Sequence, residues 1–428
     1  MRGGSCEILN NSNTQEITEP EAEYKMSLKD CPDLNDCKAL GINNKLINSF
    51  FKHFTTFEYL LEIAYFNHGV NSIIQKLKYK RSTYTTHAIL KTPLNTESDN
   101  LMYEYEVGQY INKNLIFFPC FIETYGLFYN NTIGIYKKKN NNNLDNLKQN
   151  IKHIDNIDYK LGCKDSDKIS ILLQYIDSYS LENFIVKCIK EQKNLDLICD
   201  DIIYILYQVL FPLSVLCETF THNDLHTENI LLHKIKDNSY ITYNYYLKDL
   251  TCITFNSQYI AKIIDYGRSF YLDKINGTGT AITIQNINKI TKEDKSKKES
   301  GSVLSCNSFS NYERKQSTTH DHQKLITFVY HNSSLFLKIL RDRKDIDAHF
   351  LEILEKSIEQ ISTYKPKTNI HFKGEINSID DCCRALSEYI FLKKKKIPTD
   401  DIDAIDSKNI FGVFNIYSDG REMQFIKS

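Results

Sequence analysis

The sequence is poor in the residues that most often build tight turns. It has 428 residues, of which only 15 are glycine and 7 are proline. These two types make about 5% of the chain, against roughly 12% in average proteins. Asparagine is abundant instead, with 39 residues, and it tolerates a left-handed backbone better than most other residues. Collagen-like and proline-rich architectures are therefore excluded, and a glycine-rich loop has few positions to use.

The sequence also lacks an excess of charge and a long apolar run. Lysine and arginine number 53, aspartate and glutamate 54, so the formal net charge is −1. Attachment to nucleic acid or a membrane through a global positive field is not expected. The most apolar segment, residues 202–217, includes Tyr204, Gln208 and Pro212. It is too short to span a bilayer and predicts a buried helix. We expect a soluble cytoplasmic protein with no nucleic-acid or membrane partner.

Cysteine pairs with metal-binding spacing are missing. The 12 cysteines are scattered, and no Cys-x-x-Cys pair occurs, which argues against a zinc ribbon or knuckle. We expect free and mostly buried thiols, as in a reducing compartment.

Apolar patterning predicts that strands dominate from residue 58 to 176 and helices after it. A polar segment comes first, with a possible helical stretch from Leu34 to Phe54. The predicted strands are about 58–66, 71–79, 84–91, 117–128 and 169–176. The predicted helices are 98–113 (capped by Ser98 or Asp99), 180–192, 195–219, 320–340 and 346–364. A hairpin-like insertion is expected at 240–259 and a β-hairpin at 412–426. The low-complexity segment 137–150 is expected to be an exposed loop, and the Lys/Ser/Glu/Asn-rich segment 289–319 is expected to be mobile.

One polar run carries the clearest chemistry. It reads Thr221-His-Asn-Asp-Leu-His-Thr-Glu-Asn-Ile-Leu-Leu232, so Asp224 lies two residues after His222 and Asn229 five residues after Asp224. Asp265 follows in Ile263-Ile-Asp-Tyr-Gly-Arg268. This order resembles the protein-kinase-like superfamily, whose catalytic loop H-x-D-x-x-x-x-N is followed by D-F-G after a hairpin.

The segment before this run carries matching motifs. Thr86-His-Ala-Ile-Leu-Lys91 resembles the V-A-I-K strand of kinases. Glu104 and Glu106 lie on the following predicted helix and point about 200° apart, so only one can face Lys91. We favour Glu104 and keep Glu106 as the alternative. Gln174-Tyr-Ile176 resembles the hinge between lobes, and Asp321 resembles the buried aspartate that braces the catalytic loop.

The resemblance covers about residues 57–345, and it is strongest to uncharacterised putative serine/threonine protein kinases of giant DNA viruses. It implies a bilobal α+β fold with ATP between the lobes. The predicted division is a polar N-terminal extension (1–50), a small antiparallel-sheet lobe with one helix (51–177), a larger mainly helical lobe (178–370) and a C-terminal extension (371–428). It also implies transfer of the ATP γ-phosphoryl group to Ser or Thr of a protein substrate. A viral origin would place the protein in the host cytoplasm or the virion.

The resemblance further assigns roles to single residues. Asp224 would orient the acceptor hydroxyl and accept its proton. Asn229 and Asp265 would hold Mg²⁺ through oxygen atoms, which are the ligands this ion prefers. The remaining assignments concern ATP: Lys91 and its partner Glu104 position phosphates, Gly69 belongs to the loop that covers them, and the backbone of Gln174 and Ile176 binds adenine.

Departures from the kinase pattern leave alternatives open. His226 stands where protein kinases usually carry a lysine that neutralises the γ-phosphate. Small-molecule kinases of the aminoglycoside and choline type carry a histidine at this position. Gly69 is the one glycine in the expected phosphate loop, and no A-P-E follows Gly267. A small-molecule kinase and a catalytically silent binding module therefore remain alternatives. A zinc pair formed by His222 and His226 is disfavoured, because no H-E-x-x-H is present.

Overall fold

The structure is a computed structural model that describes residues 28, 31, 33–68, 72–94, 100–131, 144–191, 195–235, 239–296, 314–321, 323–326, 376–396 and 409–427. Within these ranges the fold is mixed α+β and contains a curled antiparallel sheet. No helix in the described ranges combines the length and apolar character needed to cross a membrane. Gly69, the helix predicted at 346–364 and most of the helix predicted at 320–340 lie outside the described residues.

The helices and strands of the described residues are numbered here in chain order. The helices are α1 (Leu34–Leu40), α2 (Asn44–Phe50), α3 (Leu101–Asn112), α4 (Leu144–Asn150), α5 (Tyr159–Lys164), α6 (Leu181–Glu191), α7 (Leu195–Val215), α8 (Thr280–Ser296) and α9 (Ile379–Lys396). The strands are β1 (Leu60–His68), β2 (Ser72–Arg81), β3 (Tyr84–Pro93), β4 (Thr124–Asn130), β5 (Ile151–His153), β6 (Ile169–Gln174), β7 (Tyr179–Ser180), β8 (Phe220–Thr221), β9 (Ile230–Lys234), β10 (Tyr240–Tyr246), β11 (Cys252–Ser257), β12 (Tyr259–Ile263), β13 (Phe270–Asp273), β14 (Thr278–Gly279), β15 (Ile410–Tyr417) and β16 (Gln424–Lys427).

The largest sheet of the described chain has the order β1-β2-β3-β6-β4-β5, with antiparallel neighbours. Its first three strands match the predicted ones within a few residues. Side chains alternate between the two faces of a strand, so Ala88 and Leu90 of β3 enter one core while Lys91 lies on the opposite face. The strand predicted from 117 begins only at Thr124, where the Asn112 side chain binds both backbone groups of Thr124.

The helices α1 and α2 cover one face of this sheet. Asp33 caps α1 by accepting from the Asn35 N–H at 2.8 Å, and Gly41 ends it with a φ of 76°. Phe50, Phe51 and Phe54 are fully buried against strand residues such as Leu77 and Tyr79. The possible helical stretch from Leu34 to Phe54 is therefore present as two helices and a turn. It forms part of the sheet's own core rather than a polar extension.

Lys38 of α1 is buried in this core. Its Nζ donates to the His87 carbonyl at 2.7 Å and lies 4.9 Å from the centre of the Phe54 ring. Burial lowers the pKa of Lys38 to about 7, although the nearby Glu123 carboxylate opposes this effect. A charged Lys38 ammonium in this buried position therefore lowers the free energy of unfolding.

Replacing Lys38 should remove one contribution to the pH dependence of stability. Between pH 7 and about 10 the unfolded chain keeps the Lys38 proton that the folded chain has lost. The free energy of unfolding therefore rises with pH over this window. We expect Lys38→Met to flatten the rise, measured by urea unfolding at pH 7 and pH 9. Lys80→Met, at an exposed site on β2, should keep it, and an equal slope for Lys38→Met and wild type would contradict the prediction.

The cysteine expectation was wrong near α1. Cys31 and Cys37 form a disulfide with a Cα–Cα distance of 5.8 Å, because the turn before α1 brings residues six apart within bonding range. Cys163 is also disulfide-bonded. The free cysteines of the described chain are Cys120, Cys188, Cys217, Cys252, Cys382 and Cys383, of which only three are buried.

Local predictions failed at three further points. Asn100, rather than Ser98 or Asp99, caps α3, because its side chain accepts from the N–H groups of Met102 and Tyr103. Helix α4 lies within the predicted loop 137–150, and it is held by the buried Leu147. Helix α8 continues past residue 289, and it packs through the buried Ile287. In α4 and α8 the burial of one apolar side chain stabilises a helix, although the polar composition of the segment predicted irregular structure.

The C-terminal hairpin is present, but its partner was not predicted. β15 and β16 pair antiparallel, and β15 also pairs in parallel with β10 of the insertion. Helix α9 packs on α7, where Ser387 donates to the Tyr207 hydroxyl at 3.0 Å. The insertion and the C-terminal segment therefore form one structure beside α7, the buried helix predicted from the apolar run.

Close packing of α3 against β4 depends on Gly108. A Cβ added at Gly108 would lie 2.2 Å from the Thr124 Oγ1. We expect Gly108→Ala to lower the free energy of unfolding by about 1–3 kcal/mol, as overpacking does, measured by urea unfolding. Gly162→Ala is the matched control, because its Cβ would meet the Met102 sulfur at 2.9 Å and methionine yields easily. A Gly108→Ala protein as stable as the control would contradict this packing.

Candidate active site

Three charged side chains from distant parts of the chain meet beneath the large sheet. Lys91 Nζ lies 3.0 and 2.8 Å from the two carboxylate oxygens of Glu104 and 2.9 Å from Asp265 Oδ1. Lys91 and Glu104 are 8% and 2% exposed. The cluster therefore joins strand β3, helix α3 and the segment after β12 through one buried ammonium.

The choice between the two glutamates of α3 follows from the direction of each side chain. Glu104 reaches Lys91, whereas Glu106 binds the Tyr159 hydroxyl and accepts from the Thr283 hydroxyl at 3.0 Å. Glu106 therefore connects α3 to α5 and α8. Burial raises the pKa of Glu106, an effect that these hydroxyl groups oppose.

The electrostatics keep the Lys91 cluster charged. Burial alone would lower the pKa of Lys91, but the carboxylates of Asp265 and Glu104 outweigh it and raise that pKa. Burial alone would raise the pKa of Asp265, but Lys91 outweighs it and holds that pKa below its usual range. One cation shared by two carboxylates leaves the cluster with a net negative charge, which favours a further cation nearby.

The antiparallel pairing of β9 with β12 brings Asn229 beside Asp265. Ile230 pairs with Ile263 in the antiparallel register, and the Ile264 N–H donates to the Asn229 carbonyl at 3.0 Å. Asp265 has a φ of 68°, a left-handed conformation that is uncommon for a residue other than glycine. Such strain persists only where surrounding structure imposes it, and it concentrates at functional sites.

The donor set of this corner fits Mg²⁺. The Asn229 Nδ2 donates to the Asp224 carbonyl at 3.0 Å, so the side-chain oxygen is the Asn229 atom left for a cation. With a carboxylate oxygen of Asp265 it gives two hard ligands, and Mg²⁺ keeps waters and phosphate oxygens for the rest. No group of three or more His, Cys, Asp and Glu side chains suited to a metal occurs among the described residues. A zinc centre built by the protein alone is not favoured there.

The loop before Asn229 is held by backbone contacts. His222 is fully buried, with Nδ1 accepting from the Asp224 N–H at 3.3 Å and Nε2 donating to the Ile264 carbonyl at 2.9 Å. Both ring nitrogens are thus used, which leaves none for zinc. Asp321 accepts from the N–H groups of His222 and Asn223 at 2.6 and 2.8 Å. Asp321 therefore holds the backbone of the loop at His222 and Asn223.

Asp224 is held by two cations that the sequence alone did not reveal. Lys324 Nζ pairs with Asp224 Oδ1, and Arg268 Nη1 lies 3.1 Å from Asp224 Oδ2. Arg268 stands directly after the Asp265 motif, and Lys324 stands three residues after Asp321. The sequence could have pointed to Arg268 and Lys324 only through their closeness to Asp265 and Asp321. A contact between residues 100 positions apart leaves no local pattern that predicts it.

The other residues predicted for the site, His226, Gln174 and Ile176, make contacts with neighbouring protein groups. His226 Nδ1 lies 4.0 Å from Glu228. The Gln174 N–H donates to the Glu123 carbonyl, and its side chain donates to the Lys38 carbonyl at 2.7 Å, so these groups are committed to the protein. The Ile176 carbonyl accepts from the Ser178 hydroxyl. Gly69 lies outside the described residues. Direct binding of adenine by Gln174 would therefore rely on its carbonyl.

The chemical capacity of this corner can be stated from its contacts. It offers a buried ammonium, two oxygen donors for a hard cation and a carboxylate held by two further cations. These groups suit a reaction in which negative charge develops on oxygen atoms. No protein-family model and no curated protein matches the chain.

Proposed function

We propose that this protein is an ATP-dependent phosphotransferase of the protein-kinase type that modifies serine or threonine hydroxyls of proteins. The observation that carries the proposal is the Lys91–Glu104–Asp265 cluster with Asn229 beside it. The kinase resemblance gives each of these residues a role in holding ATP and Mg²⁺. Their approach in space is support that the sequence order alone does not provide.

The proposed reaction assigns one task to each group. Lys91, fixed by Glu104, would bind phosphate oxygens, and Asn229 and Asp265 would hold Mg²⁺. The ion, when bound, would neutralise charge on the phosphates. Asp224 would accept a hydrogen bond from the acceptor hydroxyl and then its proton. At the same time the γ-phosphoryl group would pass from the β–γ bridging oxygen to the acceptor oxygen, and ADP would leave with the bridging oxygen. Catalysis would depend on positioning and electrostatics.

In this proposal the large sheet with α3 forms the smaller lobe, and the helices from α6 onward form the larger one. The nucleotide would lie between Lys91 on the sheet and the paired strands β9 and β12. Helices α1 and α2 would belong to the smaller lobe, since their aromatic side chains fill its outer core. The β10–β11 insertion with β15 and β16 would be an addition to the larger lobe.

The test is transfer of labelled phosphate from ATP with Mg²⁺. Generic protein acceptors form one arm, and aminoglycosides with choline-like amino alcohols form the other. We expect label on protein. Label only on the small molecules would favour the small-molecule kinase suggested by His226. No transfer in either arm, with no Mg-ATP effect on melting temperature, would contradict the phosphotransferase proposal.

Replacing Asp224 should separate binding from transfer. We expect Asp224→Asn to keep the Mg-ATP stabilisation of the melting temperature and to lower the transfer rate by about 10²–10⁴-fold, the usual range for a lost general base. Asp249→Asn, in the exposed β10–β11 turn, is the matched control and should behave like wild type. Full turnover by Asp224→Asn would show that another group accepts the proton.

A further inference from the structure

We propose that Lys324 and Arg268 form a two-cation clamp that positions the Asp224 carboxylate for the acceptor hydroxyl. The inference rests on the proposed phosphotransferase function. Each cation takes a different carboxylate oxygen: Lys324 pairs with Oδ1, and Arg268 lies 3.1 Å from Oδ2. A carboxylate held at both oxygens cannot rotate freely about its last bond.

The anchoring of Lys324 explains how a residue 100 positions away can hold Asp224. Asp321 and Lys324 are three residues apart in one helical segment, and this spacing places them on the same face. Asp321 binds the backbone N–H groups of His222 and Asn223, while Lys324 binds the side chain of the next residue. One face of the segment therefore fixes both the backbone and the side chain of the loop.

Arg268 approaches from the other side and is itself tied to Asp265. It lies in the short turn Tyr266–Arg268, directly after the strained Asp265. The neighbouring Gly267 carbonyl accepts two hydrogen bonds from Arg314, at 3.3 and 3.2 Å. The two cations of the clamp therefore come from opposite ends of the chain between Asp265 and Lys324, and each end is anchored by its own hydrogen bonds.

The clamp leaves space for an acceptor. Each carboxylate oxygen can accept about two hydrogen bonds, so an ion pair at each oxygen leaves a site for a hydroxyl. Asp224, Arg268 and Lys324 side chains are 13%, 28% and 26% exposed, so the group is reachable from solvent. A hydroxyl bound there lies next to a cation as its oxygen gains the phosphoryl group.

Lys324, which the sequence pattern did not single out, is the lysine that contacts Asp224. The His226 ring lies 4.0 Å from Glu228, and Lys324 contacts Asp224 directly. Lys324 is therefore a positioning residue acting through Asp224.

The experiment compares Lys324→Met, Lys324→Arg and His226→Gln with wild type in the full-length chain. We expect Lys324→Met to lower kcat by about 100-fold, a loss typical of one removed electrostatic contact. The KM for ATP should stay within about twofold, because the proposed clamp acts on the carboxylate that receives the acceptor hydroxyl. Lys324→Arg should recover kcat to within about tenfold, since it keeps the charge. His226→Gln should lower kcat less than Lys324→Met does. Lys274→Met, on an exposed turn, should leave kcat unchanged.

Hydrogen exchange of the amides at 222–229 gives a second readout without substrate. We expect faster exchange in Lys324→Met and wild-type exchange in Lys274→Met. If the wild type transfers phosphate and Lys324→Met keeps its kcat, the clamp is refuted and the proposed function stands. If kcat and melting temperature fall, the KM for ATP rises, and Lys324→Arg does not recover kcat, Lys324 is structural and the positioning role is refuted. A wild type that binds Mg-ATP but transfers nothing overturns both proposals.

Discussion

Lys91→Met should produce a protein that transfers no measurable phosphate and unfolds at a clearly lower urea concentration. The substitution leaves the carboxylates of Glu104 and Asp265 close together without the ammonium they share. Breaking a buried ion pair by removing one partner costs about 3–5 kcal/mol. Urea unfolding at pH 7 and the labelled-ATP assay measure the two effects.

The control for Lys91→Met lies on the neighbouring strand. Lys78 of β2 pairs with Glu62 at 3.5 Å, and both side chains are more than one third exposed. Lys78→Met should cost less than about 1 kcal/mol, since exposed ion pairs contribute little. If Lys91→Met were as stable as Lys78→Met, the charged and coupled state of the Lys91 cluster would be refuted. Stability lost with transfer retained would refute only the phosphate role.

Asp265→Asn should abolish the Mg²⁺-dependent part of nucleotide binding. Asparagine tolerates the left-handed backbone at this position, so the turn is kept while the carboxylate charge is lost. Lys91 retains Glu104 as its partner, and the fold should survive. We expect the Mg-ATP shift in melting temperature to fall to the value seen with ATP and a chelator. Transfer should fall by about 10³-fold or more, because the bound metal would lower the energy of the transition state by several kcal/mol by stabilising its developing negative charge.

Two further variants isolate the charge of Asp265 from its backbone. Asp265→Gly relieves the strain of the positive φ and removes the carboxylate, so it should lose Mg²⁺ dependence as Asp265→Asn does. Asp249→Asn removes an exposed carboxylate and should bind Mg-ATP like wild type. Metal-dependent binding that survives in Asp265→Asn would show that the Asp265 carboxylate does not hold Mg²⁺.

The parts of the candidate site that follow from local order could be predicted. Asn229 and Asp265 flank strands β9 and β12, and the antiparallel register of these two strands brings them together. Lys91 and Glu104 lie on consecutive elements, and the helical period separates Glu104 from Glu106.

Other features arise only from contacts between distant segments. The burial of Lys38 depends on α1 packing on the sheet, and the partner of β15 lies more than 160 residues earlier in the sequence. The disulfide between Cys31 and Cys37 has a spacing of six that matched no motif. No periodicity in a single segment encodes such contacts, because they depend on where each element docks.

The sequence by itself determined the main strands, the buried helix α7 and the spacing of Asp224, Asn229 and Asp265, since hydrophobic period and motif spacing are local properties. The tertiary structure alone decided which charges meet. It placed Lys324 and Arg268 on Asp224, although 100 and 44 residues separate these cations from it. The physical reason is that an ion pair forms wherever packing of the apolar faces brings opposite charges together, and that packing is set by the whole fold.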